Sequence, residues 1–227
     1  MALTYLVPEW FFRVDSVMEI IFALSTLIIA LTAFKIYFLT REKNIKGFAI
    51  GFLLLTFSYA LWSLMNAITI PQIKDAITDT VSEVNTQSLN ILSAIGTNAY
   101  MMLFMAGLVM LAYNTFNTKN SGIYYLILCP TLIVIVISLE KVITMRILAV
   151  FFLSFIAYYY LTVYHIKQNR KSLGAFLAFT LLLIANLLYL FAPINAVSYV
   201  VSHGIELLAY ILLLSVLLRA LHFKITP

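Results

Sequence analysis

Apolar residues dominate this chain in seven long, continuous stretches, each set off from the next by a short polar interruption. Crossing about 30 Å of hydrocarbon takes roughly 20 apolar residues in a helix. Runs of that kind lie at 15–39, 46–70, 88–114, 121–139, 144–165, 171–192 and 197–221. Lipid offers no partner to backbone N–H and C=O groups, so a spanning segment closes its hydrogen bonds within itself as a helix. A membrane barrel would need short alternating strands, which these runs are not. The pattern predicts an all-α polytopic bundle, a single seven-helix transmembrane domain over residues 1–227. The fourth and fifth runs are the least distinct, divided by Glu140-Lys141 with Arg146 following.

The longest interruption, residues 71–87, has its own period. Ile73, Ile77, Val81 and Val84 recur at helical spacing, with Pro71 at a first-turn position. This predicts a short amphipathic helix on the membrane surface, or an outward extension of the third span. Trp10, Phe11 and Phe12 form an aromatic anchor just before the first span.

Composition excludes a soluble protein. The chain is 63% hydrophobic and 10% charged, with a mean hydropathy of +1.03, whereas soluble domains carry about 25% charged residues. A net charge of +5 does not make a nucleic-acid face, because the basic residues sit singly or in small groups between apolar spans. Their distribution sets direction instead. With the N-terminus outside, Lys35, Arg41, Lys43, Lys46, Lys119, Lys167, Arg170, Lys171, Arg219 and Lys224 fall on the cytoplasmic side. Only Arg13, Lys74, Lys141 and Arg146 of the 14 basic residues fall outside. The expected location is the cell membrane, with the C-terminus cytoplasmic. Residues 1–12 lack the basic start and cleavage site of a signal peptide. The lone cysteine, Cys129, reads as a small buried hydrophobe.

Sliding the chain against itself by 127 positions aligns Ile36-Tyr37 with Val163-Tyr164, Gly47 with Gly174, Phe52 with Phe179, and Trp62 with Tyr189. The third span then corresponds to the seventh, with Gly96 on Gly204. The layout is a candidate parallel repeat of three, one and three helices.

Polar residues inside the spans carry the functional signal, since an ionisable group in the bilayer costs roughly 2.5 kcal/mol or more. Glu19 lies one turn past Asp15. His203, Glu206 and Tyr210 share one face of the last span. Tyr59, Ser63 and Asn66 line one side of span two, Asn90, Ser93 and Thr97 one side of span three beside Asn98, and Asn186 sits in span six. Counted from the outer ends, these groups lie at similar depth. The candidate ligand-binding set is Glu19, Asn66, Asn90, Asn98, Asn186, His203, Glu206 and Tyr210, around an outer-leaflet polar cavity. The alternative is interhelical hydrogen bonding with no ligand. Glu19, His203 and Glu206 make a candidate zinc set, with only the last two tied by spacing. No lysine sits deep enough for a retinal Schiff base, no histidines pair for a haem, and no phosphate loop or nucleophile elbow is present. No cofactor is expected, and only the His203–Glu206 pair favours an enzyme.

Pro8-Glu9-Trp10-Phe11-Phe12, Lys35-Ile36-Tyr37-Phe38-Leu39-Thr40 and His203-Gly204-Ile205-Glu206-Leu207-Leu208-Ala209-Tyr210 resemble segments of small archaeal seven-helix membrane proteins of uncharacterised function, over nearly the full length. Size, topology and the repeat are also similar to the sugar-transporting SWEET family, which implies transport. The chain departs from that pattern in lacking proline hinges in spans one and five, and its Pro71-Gln72 pair falls in an outer loop. The leading expectation is a membrane-embedded sensor, binding or partner-docking protein. A small-solute or proton-coupled transporter is second, and an intramembrane enzyme third. Expected partners are membrane lipids, a membrane protein or second copy of the chain, and a small polar molecule or ion, with no nucleic acid.

Overall fold

A computed structural model describes the backbone of residues 12–78, 83–116, 118 and 120–225, and their side chains except at 12–13, 69–92 and 222–225. Among these residues there are seven helices and no strand: α1 (Phe12–Thr40), α2 (Lys43–Thr78), α3 (Glu83–Thr115), α4 (Gly122–Ile137), α5 (Lys141–Lys167), α6 (Arg170–Leu190) and α7 (Ala196–Ile225). All but α4 are long and apolar enough to cross a membrane. The chain is therefore a multi-pass membrane-helix protein.

The helices are turned inside out relative to those of a soluble protein. On α1, Val14, Val17, Ile20, Leu24, Ile28 and Leu31 are exposed, while Asp15, Glu19 and Thr26 are buried beside Phe22, Ile29 and Ala33. In water this arrangement would strand apolar area outside and charge inside. In lipid both choices are favourable, because the outer stripe meets hydrocarbon and the polar groups find partners. The same division holds on α7, where Val197, Val201, Leu208 and Ile211 face out and Ser202, His203, Glu206 and Tyr210 face in.

Two tight turns are built alike. Arg41 adopts a left-handed φ of 59° and donates its N–H to the Tyr37 carbonyl at 2.7 Å, closing α1. Gln168, at φ 49°, donates to Tyr164 at 2.8 Å and closes α5. Asn169 then caps α6, its side chain accepting the Lys171 N–H. Such short connections force antiparallel neighbours. Accordingly α1, α2 and α3 pack in sequence as one group and α5, α6 and α7 as another, and the groups join along α1 with α7 and α3 with α5.

Helix α4 stands at the edge, touching α3 and α5. Its start lies beside the end of α3, where the rings of Tyr113 and Tyr124 are 5.9 Å apart. Its far end leads into α5, where the Ser138 and Thr144 hydroxyls meet at 2.6 Å. It thus runs the height of the bundle with 16 helical residues, about 24 Å. Cys129 on this helix is exposed, correcting the expectation of a buried thiol; a peripheral helix leaves its outer face to the lipid.

Most of the interruption at 71–87 is also helical. Helix α2 continues to Thr78 and α3 begins at Glu83, so an extension, not a separate surface helix, takes up its ends. The side chains of Ile73, Ile77, Val81 and Val84, like the anchor at Trp10–Phe12, lie outside the described residues.

Candidate functional site

At one end of the bundle, the first turns of α1, α5 and α7, the last turns of α6 and the middle of α2 bring their polar residues together. Helix α7 supplies the spine: Tyr199, His203, Glu206 and Tyr210 follow one another at helical spacing, and all are buried. Glu206 is surrounded by phenols. Tyr59 from α2 and Tyr210 donate to its Oε1, and Tyr189 from α6 donates to Oε2 at 3.0 Å. The Tyr59 and Tyr210 hydroxyls also lie 2.6 Å apart.

His203 sits between that carboxylate and two more. Its Nδ1 is 3.0 Å from the Tyr199 carbonyl and 2.9 Å from the Tyr189 hydroxyl. With Nδ1 carrying the proton, it donates to the carbonyl, and Tyr189 is left to donate to Glu206. The other ring nitrogen, Nε2, is 3.1 Å from Asp15 Oδ1 and 3.9 Å from Glu19 Oε1. Phe22 stacks on the imidazole at 5.6 Å. Asp15 is held by the Tyr199 hydroxyl at 2.7 Å and by Asn66 Nδ2 at 3.2 Å. Glu19 Oε2 is buried with no hydrogen-bond partner among the described residues.

Among the described residues, the cation in this region is Arg146. It donates to Asn186 Oδ1 at 3.0 Å, and its guanidinium carbon lies 4.0 Å from the Tyr189 ring centroid, a cation–π contact. Together Glu19 and Arg146 form two walls of a cavity of about 60 Å³, completed by Trp62, Thr97, Tyr100, Tyr199 and the turn at Ala192 and Pro193. One water needs about 10–15 Å³ of such space, so the cavity suits several waters or one small polar solute. Below it, a space of about 10 Å³ touches Glu206, Tyr210 and Asn186, but its other walls are apolar, including Leu55, Phe104 and Leu108.

No known protein family, curated protein or solved structure matches the chain. The site's chemistry therefore rests on its own geometry.

Of the residues singled out from sequence, Glu19, Asn66, His203, Glu206 and Tyr210 join one network, and Asn186 meets it through Arg146. Asn98 lies apart, bonded to the Ala94 carbonyl and accepting from Lys141 Nζ at 3.1 Å. The Asn90 side chain is outside the described residues. The metal set changes membership: Asp15, Glu19 and His203 place ligand atoms within 4.8 Å of one another, without Glu206, whose oxygens the tyrosines occupy. From sequence, Arg146 is an outer-side charge and a pairing partner for Glu206; in the structure it lies against Asn186 and the Tyr189 ring, and the roles of Tyr189 and Tyr199 went unread. A tyrosine in a membrane helix is too common a packing residue to stand out, whereas a second arginine turn into an apolar run was a usable signal.

Proposed function

We propose that this protein binds a small polar solute or ion in the cavity between Glu19 and Arg146, serving as a membrane-embedded sensor or binding component. The observation that carries this reading is the unpartnered Glu19 oxygen on a cavity wall shared with a guanidinium. Groups that served only to pair helices would satisfy one another, and burying a carboxylate oxygen unpaired costs more than a helix contact returns. The N-terminus is placed outside by the basic residues, which puts the cavity in the outer leaflet of the cell membrane, and α4 is taken as a seventh span. A signal would pass to a membrane protein partner or a second copy.

Native mass spectrometry on protein purified in mild detergent tests this directly. A co-purifying small molecule, reduced at least tenfold in Arg146→Met and Trp62→Ala, is expected. A wild-type protein that carries none, and whose melting temperature no amine, amino acid or small carboxylate shifts, would overturn the reading.

Transport is the second reading, favoured by one observation. The left-handed turn residues Arg41 and Gln168 are 127 positions apart, the same offset that aligns the two halves, and Trp62 and Tyr189, also matched by it, both line the cavity. These support a parallel repeat with a site at its interface, as in transporters and in keeping with the similarity to the SWEET family. Against it stands the apolar floor below Glu206. Reconstitution in liposomes under a pH gradient distinguishes the two: flux sensitive to Glu19→Gln and Glu206→Gln would promote transport over binding.

A further inference from the structure

We infer that Asp15, Glu19 and His203 form a binding site for a divalent transition-metal ion, with zinc the best match. The inference goes beyond solute binding in the cavity, with which it shares Glu19, and its test tells the two apart. The three residues come from the first two turns of α1 and from α7, and all are at least nine-tenths buried. Tetrahedral zinc with bonds of about 2.0–2.1 Å sets neighbouring ligand atoms about 3.3 Å apart. The observed separations from His203 Nε2, 3.1 Å to Asp15 Oδ1 and 3.9 Å to Glu19 Oε1, bracket that edge length.

The surroundings are those of a held ligand set. A ligating imidazole has its second nitrogen fixed by a carbonyl or carboxylate, and ligating carboxylates are themselves hydrogen-bonded. Here His203 Nδ1 meets the Tyr199 carbonyl, which turns Nε2 toward the two acids. Asp15 receives Tyr199 and Asn66. Glu19 adds the second, independent sign, a buried oxygen with no partner among the described residues. An imidazolium paired with Asp15 would answer for one short contact but would leave the second buried carboxylate without a close counter-charge. A dication answers for both acids.

One imidazole and two carboxylates suit zinc better than magnesium or calcium, which take six or more oxygens. Three protein ligands also leave a fourth position. Glu19 belongs both to this set and to the cavity wall, so a molecule in the cavity lies beside the metal.

The test is metal analysis of the full-length protein in detergent after loading with zinc and gel filtration. About one equivalent is expected in wild type, falling at least tenfold in Asp15→Asn, Glu19→Gln and His203→Gln and unchanged in Glu206→Gln. Cobalt loading should give the intense visible band of a tetrahedral site in wild type and not in Asp15→Asn. Because a variant may lose metal by unfolding, wild type is also melted with zinc and with magnesium. Stabilisation by zinc alone supports the site. Wild-type zinc at the level of a variant carrying Asp15→Asn, Glu19→Gln and His203→Gln together, or zinc unchanged in the single variants, overturns it. Asp15 does not line the cavity and Arg146 is not a ligand, so Asp15→Asn and Arg146→Met separate metal loss from solute loss.

Discussion

Glu206 illustrates how a membrane interior accommodates a carboxyl group: three tyrosine hydroxyls converge on it. Interhelical hydrogen bonds in membranes are worth about 0.6–2 kcal/mol each. Tyr59→Phe should therefore lower the melting temperature in detergent modestly. Tyr189→Phe should lower it more, since it removes a partner from both Glu206 and His203. Combined with Glu206→Gln, the losses should be non-additive, because all act on one network; additive losses would dissolve the network into separate contacts. Two basic residues near the start of α5 make a second comparison. Lys141 bonds to Asn98 apart from the acids of the network, and Lys141→Ala should cost less than about 1 kcal/mol, as for a half-exposed polar contact. Arg146→Ala gives up the Asn186 bond and the Tyr189 face and leaves the carboxylates without their guanidinium, so its loss in thermal melting should be clearly larger.

At the scale of elements, α2 and α3 are held by close backbone approach. A Cβ on Gly107 would come within 2.9 Å of the Gly51 carbonyl oxygen, a backbone atom that cannot swing away. Small residues that admit such contact are a main source of helix association in lipid, where no hydrophobic force drives it. Gly107→Ala should separate the pair and lower the melting temperature. Gly204→Ala on α7 meets nothing within 4 Å and should be neutral or slightly stabilising, since alanine gains up to about 1 kcal/mol of helix propensity. The same melting assay checks both, and equal effects would contradict the packing described here. Residues 71–87 were legible as helical from their period. Their division between α2 and α3 was not, because period alone cannot say whether a helix starts anew or continues.

For the whole molecule, the direction of the chain is checked by cysteine labelling in a Cys129→Ser background, needed because Cys129 is exposed. Leu139→Cys and Ile194→Cys, both exposed, should react with an impermeant reagent added outside intact cells. Lys167→Cys should react only after permeabilisation. Labelling of Leu139→Cys from the inside would remove α4 from the spans and overturn the seven-span topology. The apolar outer surface carries a further expectation, that the protein leaves the membrane only in detergent.

What the sequence determined was the solvent and the secondary structure. A chain with this few charges satisfies its backbone in lipid only as helices, so their existence and approximate positions follow from hydropathy alone. It also marked most of the polar residues, because each is costly in an apolar run. Tertiary structure decided which of them meet. Asp15 replaces Glu206 beside Glu19 and His203, Arg146 turns inward over Tyr189, and Asn98 is left outside. Spacing fixes the face of one helix and says nothing of the rotation and depth of its neighbours. Those are set by packing between helices, at contacts such as Gly51 with Gly107, which the spacing within one helix does not reveal.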